Sequence, residues 1–207
     1  MGAAWRSAVM MVAVAVLVPV AAWASQPVFS PDNFVVYGGL QTPGAAPGRT
    51  LRDVADPALR HRTVDFAPAM EPGSILVRTS ERKLYFVLTG GKAIMYPVGV
   101  GREGFTWRGE NRITRKAVWP EWRPPQAMIE REKMQKGRII PAVMPGGAEN
   151  PLGARALYIG NTEYRIHGTT QPWSIGQAVS SGCIRLMNDE IIDLYNRVKI
   201  GARVVVE

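Results

Sequence analysis

The chain has 207 residues, 46% of them hydrophobic, enough for a sizeable core in one domain with extensions or at most two small domains. Its 25 Lys and Arg against 17 Asp and Glu leave a net charge of +8, which favours anionic surroundings, yet the basic residues are scattered and form no nucleic-acid-binding run. A single cysteine excludes an intramolecular disulfide and a Cys-based zinc cluster; His61 and His167, the two histidines, stand too far apart for metal-ligand spacing, which argues against a catalytic metal.

In chain order, residues 1–24 read as a secretory signal. Arg6 and the terminal amine form a short positive region, Ala8 to Ala22 an apolar core, and Ala22-Trp23-Ala24 a small-x-small pattern ahead of a cut before Ser25. An uncleaved anchor is disfavoured, because the apolar run is shorter than the ~20 residues a bilayer span needs and Pro19 interrupts it. No cysteine lies near the cut, which excludes lipid attachment there. Residues 25–72 carry Gly38-Gly39, Pro43-Gly44, Pro47-Gly48, Pro57, Pro68 and Pro72 and read as an irregular arm or linker. Asn33–Tyr37 is a short piece able to pack on the main domain. His61, between Arg60 and Arg62, reads as a solvated residue.

From Ser74 the pattern turns to strands. Ser74–Arg78 and Lys83–Leu88 flank Thr79–Arg82, and Lys92–Val98 follows the Gly90-Gly91 turn, a β-meander by composition and punctuation. Pro97 places the third run at a sheet edge or at its own end. Val98-Gly99-Val100-Gly101 opens a long irregular region, and Thr106 to Gly153 is a loop-rich insertion with one short helix at Gln126–Lys136. Loops of that length inside a domain are usually functional. Trp119 and Trp122, set among prolines, either line a groove or pin the loop to the core, and both readings stay open.

Ala156–Ile159 and Thr162–His167 form a hairpin around Gly160-Asn161. Alternation puts Tyr164 and Ile166 on one face and Arg165 and His167 on the other, so His167 ends a strand opposite an apolar pair. That is the position of a site histidine rather than a core one. Cys183 follows 16 positions later. In an oxidising compartment cysteines are usually paired, and within an apolar strand Cys183 would read as a buried inert thiol. It lies instead in Ser180-Ser181-Gly182-Cys183, a small polar loop, which points to exposure and use.

A thiol beside an imidazole becomes a nucleophile because the thiolate is the attacking species. The expectation is therefore that Cys183 and His167 meet as a Cys–His acyl-transfer pair. Backbone N–H groups around Gly182 and Cys183 are candidate oxyanion donors. Arg185 is the candidate to hold a substrate carboxylate through its planar fork, the alternative being a structural ion pair with Asp189. Ser180 and Ser181 shape the loop or donate a hydrogen bond, while Trp173 and Ser174 border the pocket or pack beneath it. After this loop Asn188 is a natural N-cap for a helix with Asp189 and Glu190 in its first turn and Gly201 just past its end. Ile191, Leu194 or Tyr195, and Val198 give its core-facing stripe. Ala202–Glu207 closes the chain as a strand.

The stretch HGTTQPWSIGQAVSSGCIRLMNDEIIDLY, His167 to Tyr195, resembles the catalytic signature of the bacterial L,D-transpeptidases: a histidine in H-G-T, then S-x-G-C followed by arginine or asparagine. The likeness extends upstream through Asn150-Pro151-Leu152-Gly153 to the strands from Ser74 and covers residues 73–207. It implies a mostly β fold, an L,D-transpeptidase-like β-sandwich catalytic domain with one or two helices and the loop-rich insertion. It also implies Cys183 as nucleophile and His167 as base, with Gly168 supplying the backbone carbonyl that orients the imidazole. The implied substrates are peptidoglycan stem tetrapeptides, cleaved between the third residue and the terminal D-Ala. Their acyl group passes to an amine of a second stem or of an acceptor envelope protein.

Substrate contacts are expected from Arg185, Ser181 and Gly182, and from Trp173, Trp119 and Trp122. No cofactor is needed, because a thioester carries the energy of the cleaved bond forward. The setting is the periplasm, the chain monomeric and without a nucleic-acid partner. One position departs from the pattern: Ser181 stands where many members carry a second histidine. An L,D-carboxypeptidase or amidase-type hydrolase on the same site and a non-catalytic wall-binding module are the alternatives. A papain-type protease is disfavoured by the order, His before Cys.

Overall fold

Short runs rich in Val, Ile, Leu and Tyr, each closed by a glycine, proline or polar turn, leave most of the chain extended. A computed structural model describes residues 57–103, 105 and 107–207; the expected signal, the Asn33–Tyr37 piece and the rest of the arm before residue 57 lie outside the described residues. The strands are β1 (Arg62–Asp65), β2 (Ile75–Arg78), β3 (Lys83–Val87), β4 (Lys92–Pro97), β5 (Val100–Gly101), β6 (Gly109–Val118), β7 (Arg155–Ile159), β8 (Arg165–His167), β9 (Ala178–Ser180), β10 (Ile184–Arg185) and β11 (Arg203–Val206). Two helices, α1 (Gln126–Lys136) and α2 (Asn188–Arg197), complete the order. Nine strands join in one mixed sheet, β1-β4-β3-β2-β11-β6-β7-β8-β10, and β5 pairs with β9 separately.

β6 is the joint of this sheet. Gly109 to Arg112 pair with β11, the register shifts between Ile113 and Arg115, and Arg115 to Val118 pair with β7. A shift of this kind bends a strand, and the two halves of the sheet close over a shared core. Ile75, Leu84 and Tyr96 from one half pack in one cluster with Leu157, Ile159 and Ile166 from the other and with Ile191 and Leu194 of α2. A smaller cluster of Phe66, Leu76, Tyr85, Val87, Ala93 and Met95 covers the outer face of β2–β4. The fold is a mostly β sandwich with two helices.

Several details differ from the sequence expectations. β6 falls inside the stretch read as irregular, because among its ten residues, GENRITRKAV, only Ile113 is buried, so no apolar alternation betrays it. The hairpin strand begins at Arg165, not Thr162; Thr162 turns its Oγ1 onto the Ile159 carbonyl at 2.6 Å within the loop. Asn188 is not the cap of α2: Met187 holds that position and no side chain caps the helix. The helix ends at Arg197, with Val198 already extended, and Gly201 instead takes φ +88° in the turn that leads into β11.

The last part of the expected arm is folded. β1 pairs antiparallel with β4, Arg62 opposite Met95 through Asp65 opposite Lys92. Just before it, the His61 Nδ1–H donates to Glu190 Oε2 at 2.7 Å and the His61 backbone N–H to the same oxygen at 3.1 Å. Arg60 reaches Asp189 at 3.1 Å and Glu190 at 3.5 Å. Glu190 is only 2% exposed, and among the described residues its carboxylate is satisfied entirely from this segment. His61 is thus a partner of a buried carboxylate, not a bystander in solvent. His61→Ala is expected to cost roughly 2 kcal/mol, the scale of a hydrogen bond to a charged group, and to lower the midpoint of thermal unfolding by about 6 °C. An unchanged midpoint would show the contact to be dispensable.

Candidate functional site

β8 and β10 run parallel, with Ile166 opposite Ile184 and His167 opposite Arg185. The two isoleucines enter the core, so alternation turns Arg165, His167, Cys183 and Arg185 to the other face. The connection that makes this pairing possible carries a 3-10 turn at Pro172–Ser174 and strand β9, which pairs with β5. Cys183 stands one residue before β10, a diagonal step from His167.

The imidazole is buried, 4% exposed. Its Nδ1 lies 2.5 Å from the Gly168 carbonyl oxygen. A carbonyl only accepts, so Nδ1 carries the proton and Nε2 keeps a free lone pair. Burial, and next the nearby Arg185 guanidinium, push the His167 pKa down to about 3, with Arg165 adding to the fall and the Gly168 and Leu152 carbonyls opposing it. The ring is therefore neutral at pH 7.

Two asparagines hold this turn. Asn188 Oδ1 accepts the Ala154 N–H at 3.0 Å while its Nδ2 donates to the Thr169 carbonyl at 3.1 Å, tying the residue after Gly168 to the start of β7. Asn150, 1% exposed, donates to the carbonyls of Pro120, Met144 and Pro145 and accepts the Leu152 N–H. It gathers the insertion into one loop and fixes the backbone that presents the Leu152 carbonyl to the imidazole. Neither role is visible in sequence spacing; the N-P-L-G quartet was the available signal for Asn150.

Cys183 is half-buried, and its thiol donates to the Glu163 carbonyl at 3.8 Å. It makes no hydrogen bond to His167 in this conformation: the two side chains share a face, and each hydrogen-bonds a backbone carbonyl instead. The loop around the thiol is tightly specified. Ser180 Oγ donates to the Cys183 carbonyl at 2.6 Å and accepts the Gly182 N–H at 3.2 Å, so Gly182 N–H is already spoken for. Gly182 has φ +112°, and a Cβ there would meet Tyr164 Cε1 at 2.5 Å and the Phe105 carbonyl oxygen at 2.7 Å. Gly182→Ala is expected to displace the loop at a cost of about 1–3 kcal/mol in backbone strain alone. The rate at which Cys183 reacts with iodoacetamide should change with it, and an unaltered rate would show that the loop tolerates the methyl group.

Arg185 is half-buried. Its Nη1 donates to Gln171 Oε1 at 3.1 Å, its Nε is buried without a hydrogen-bond partner, and burial holds its pKa below the usual guanidinium value against the opposing charge of Cys183. Asp189 pairs with Arg60 instead. Ser181 is exposed beside the thiol, and Trp173 is exposed in the 3-10 turn between His167 and Cys183. Trp119 and Trp122 are tied by their backbones: Trp119 N–H to the Ala154 carbonyl, Trp122 to Met144 in both directions. The aromatic wall next to Gly182 comes from Tyr164, stacked on Trp107 at 5.8 Å between centroids. The alternation pattern had assigned Tyr164 to the core face, and it does pack against the core edge while its ring edge meets Gly182.

A neutral imidazole with a free Nε2, a thiol on the same face and a half-buried guanidinium beside both form a constellation suited to moving a proton from sulfur. Residues 72–206 match the family model of the YkuD L,D-transpeptidase catalytic domain. Over 135 residues the chain is 38% identical to the Escherichia coli K12 protein named "Probable L,D-transpeptidase YbiS", a span that covers 63% of this chain and 43% of that protein. It is 39% identical over 135 residues to "Probable L,D-transpeptidase ErfK/SrfK" of Salmonella typhimurium LT2, covering 63% of this chain and 42% of that protein. The matched region thus spans less than half the length of these relatives. The solved Ldtfm–avibactam carbamoyl enzyme shares the fold, with a TM-score of 0.52 at 19% identity over 68% of this chain and 50% of that one. On the matched segment, which holds both His167 and Cys183, the chain belongs to the L,D-transpeptidase catalytic-domain family.

Proposed function

We propose that this protein is a periplasmic L,D-transpeptidase that acylates Cys183 with a peptidoglycan stem tetrapeptide, releases D-Ala and transfers the acyl group to an amine. The observation that carries the reading is the β8–β10 register, which sets the thiol one diagonal step from an imidazole whose Nδ1 is committed to Gly168. The mechanism requires the Cys183 thiol to leave the Glu163 carbonyl and turn to Nε2. Nε2 takes the thiol proton as the sulfur bonds to the carbonyl carbon. The same proton then passes to the departing D-Ala nitrogen as the C–N bond breaks. Base assistance of this kind is worth about 10²–10⁴-fold.

With Gly182 N–H engaged by Ser180, the Cys183 N–H is the better oxyanion donor. Arg185, its Nε without a partner, receives a substrate carboxylate. The acceptor is the amine of a second stem or of an envelope protein. Export is supported by the apolar run from Ala8 to Ala22, and the +8 charge suits an anionic wall. The test is incubation with a disaccharide tetrapeptide, following D-Ala release and the mass of the protein. An acyl adduct on Cys183 that an added amine discharges supports a transferase; discharge by water at the same rate with and without amine points to the hydrolase.

A further inference from the structure

The face that carries His167 and Cys183 continues across the sheet. Arg165 stands opposite Tyr158 in the β7–β8 pair, and Tyr158 opposite Arg115 in the β6–β7 pair, so all three side chains share that face. The Arg115 guanidinium lies 3.4 Å from the centre of the Tyr158 ring and the Arg165 guanidinium 5.5 Å from it. Arg60, Arg78, Arg197 and Arg203 each end on a carboxylate. Arg115 and Arg165 do not: among the described residues neither makes a hydrogen bond or ion pair, and the Arg165 Nε is buried with no acceptor. A buried guanidinium Nε with no acceptor is an unusual arrangement in a folded protein, and here it belongs to a half-buried Arg165 beside an exposed Arg115. Arg165 is close enough to His167 for its charge to act on the imidazole.

We propose that Arg165 and Arg115, stacked on Tyr158, form a carboxylate-binding subsite beside Cys183, separate from Arg185, that holds a side-chain carboxylate of the acyl-donor peptide. The proposal rests on the reading of Cys183 as an acyl-transfer nucleophile. The phenol ring holds the guanidinium groups in place without using their N–H donors, leaving the planar fork free for a carboxylate. The same chemistry is present on a donor or an acceptor peptide. The donor is favoured because the β8–β10 ladder sets Arg165 next to the residue that receives the acyl group.

Binding read without chemistry tests it. In the full chain carrying Cys183→Ala, calorimetric titration with a tetrapeptide donor is expected to show about tenfold weaker binding when Arg165→Gln is added, with a smaller loss for Arg115→Gln and partial recovery in Arg165→Lys. A donor amidated at the third-residue side chain should bind the parent and the Arg165→Gln form alike. Equal weakening for acid and amide would make Arg165 a structural residue and overturn the subsite. Transfer rates that depend on the charge of the acceptor but not of the donor would overturn the donor assignment. If unsubstituted protein never gains an adduct while the acid–amide difference in binding persists, the nucleophile reading fails and the subsite stands.

Discussion

Cys183→Ala is expected to abolish the acyl adduct and to reduce D-Ala release at least about 10⁴-fold, the scale seen when the nucleophile of a covalent acyl-transfer site is removed. No other cysteine exists in the chain to take its place. Ser180 and Ser181 stand in the same loop, but Ser180 is spent on the loop backbone, and a hydroxyl is a far weaker nucleophile than a thiol near neutral pH. The substitution should leave the fold intact, because Cys183 is half-buried and its one hydrogen bond, to Glu163, is long. Intact-mass spectrometry with the tetrapeptide decides the matter: release of D-Ala at the parental rate by the alanine variant would overturn the mechanism.

His167→Ala carries the second large effect, a loss of acylation of about 10²–10⁴-fold. The depressed pKa of the ring adds a signature in pH. With a folded value of about 3 against an ordinary value near 6.5, the ring stays neutral throughout the usual assay range, so acylation should show no limb near pH 6.5. The effect on stability has the same origin. Between pH 6.5 and 3 the unfolded chain binds a proton at this ring and the folded chain does not, so stability is full above the unfolded value and falls with acidification. The loss is up to about 1.4 kcal/mol per pH unit in that window. Urea unfolding at pH 7 and pH 4.5 should therefore show a smaller gap for His167→Ala than for the parent. An equal gap would mean that the ring is not held neutral.

The parts of the site that could be read from sequence are those whose chemistry is scarce. One thiol and two imidazoles leave few pairings, and the polar loop around Cys183 together with the strand phase of His167 picks out one of them. What resisted reading was built from common residues doing long-range work. β6 hides because its partners on both sides satisfy its backbone while nearly all its side chains stand at or near the surface. Asn188 sits where a helix cap belongs, and its local surroundings cannot reveal that its amide is drawn to Ala154 and Thr169. His61 looks solvated between two arginines until α2 brings Glu190 against it from 129 positions away. Local pattern reports local competition well; it is silent on contacts that exist only after the chain has closed on itself.

β1 has a consequence beyond its own four residues. It lies before residue 72, where the family match begins, yet among the described residues it is the strand that covers the outer margin of β4. A protein trimmed to the matched segment would offer β4, with buried Ala93, Ile94, Met95 and Tyr96, as an open template for pairing with neighbouring chains. Self-association during expression or concentration is the outcome to expect from such a trim, and a fragment beginning ahead of Arg60 should escape it.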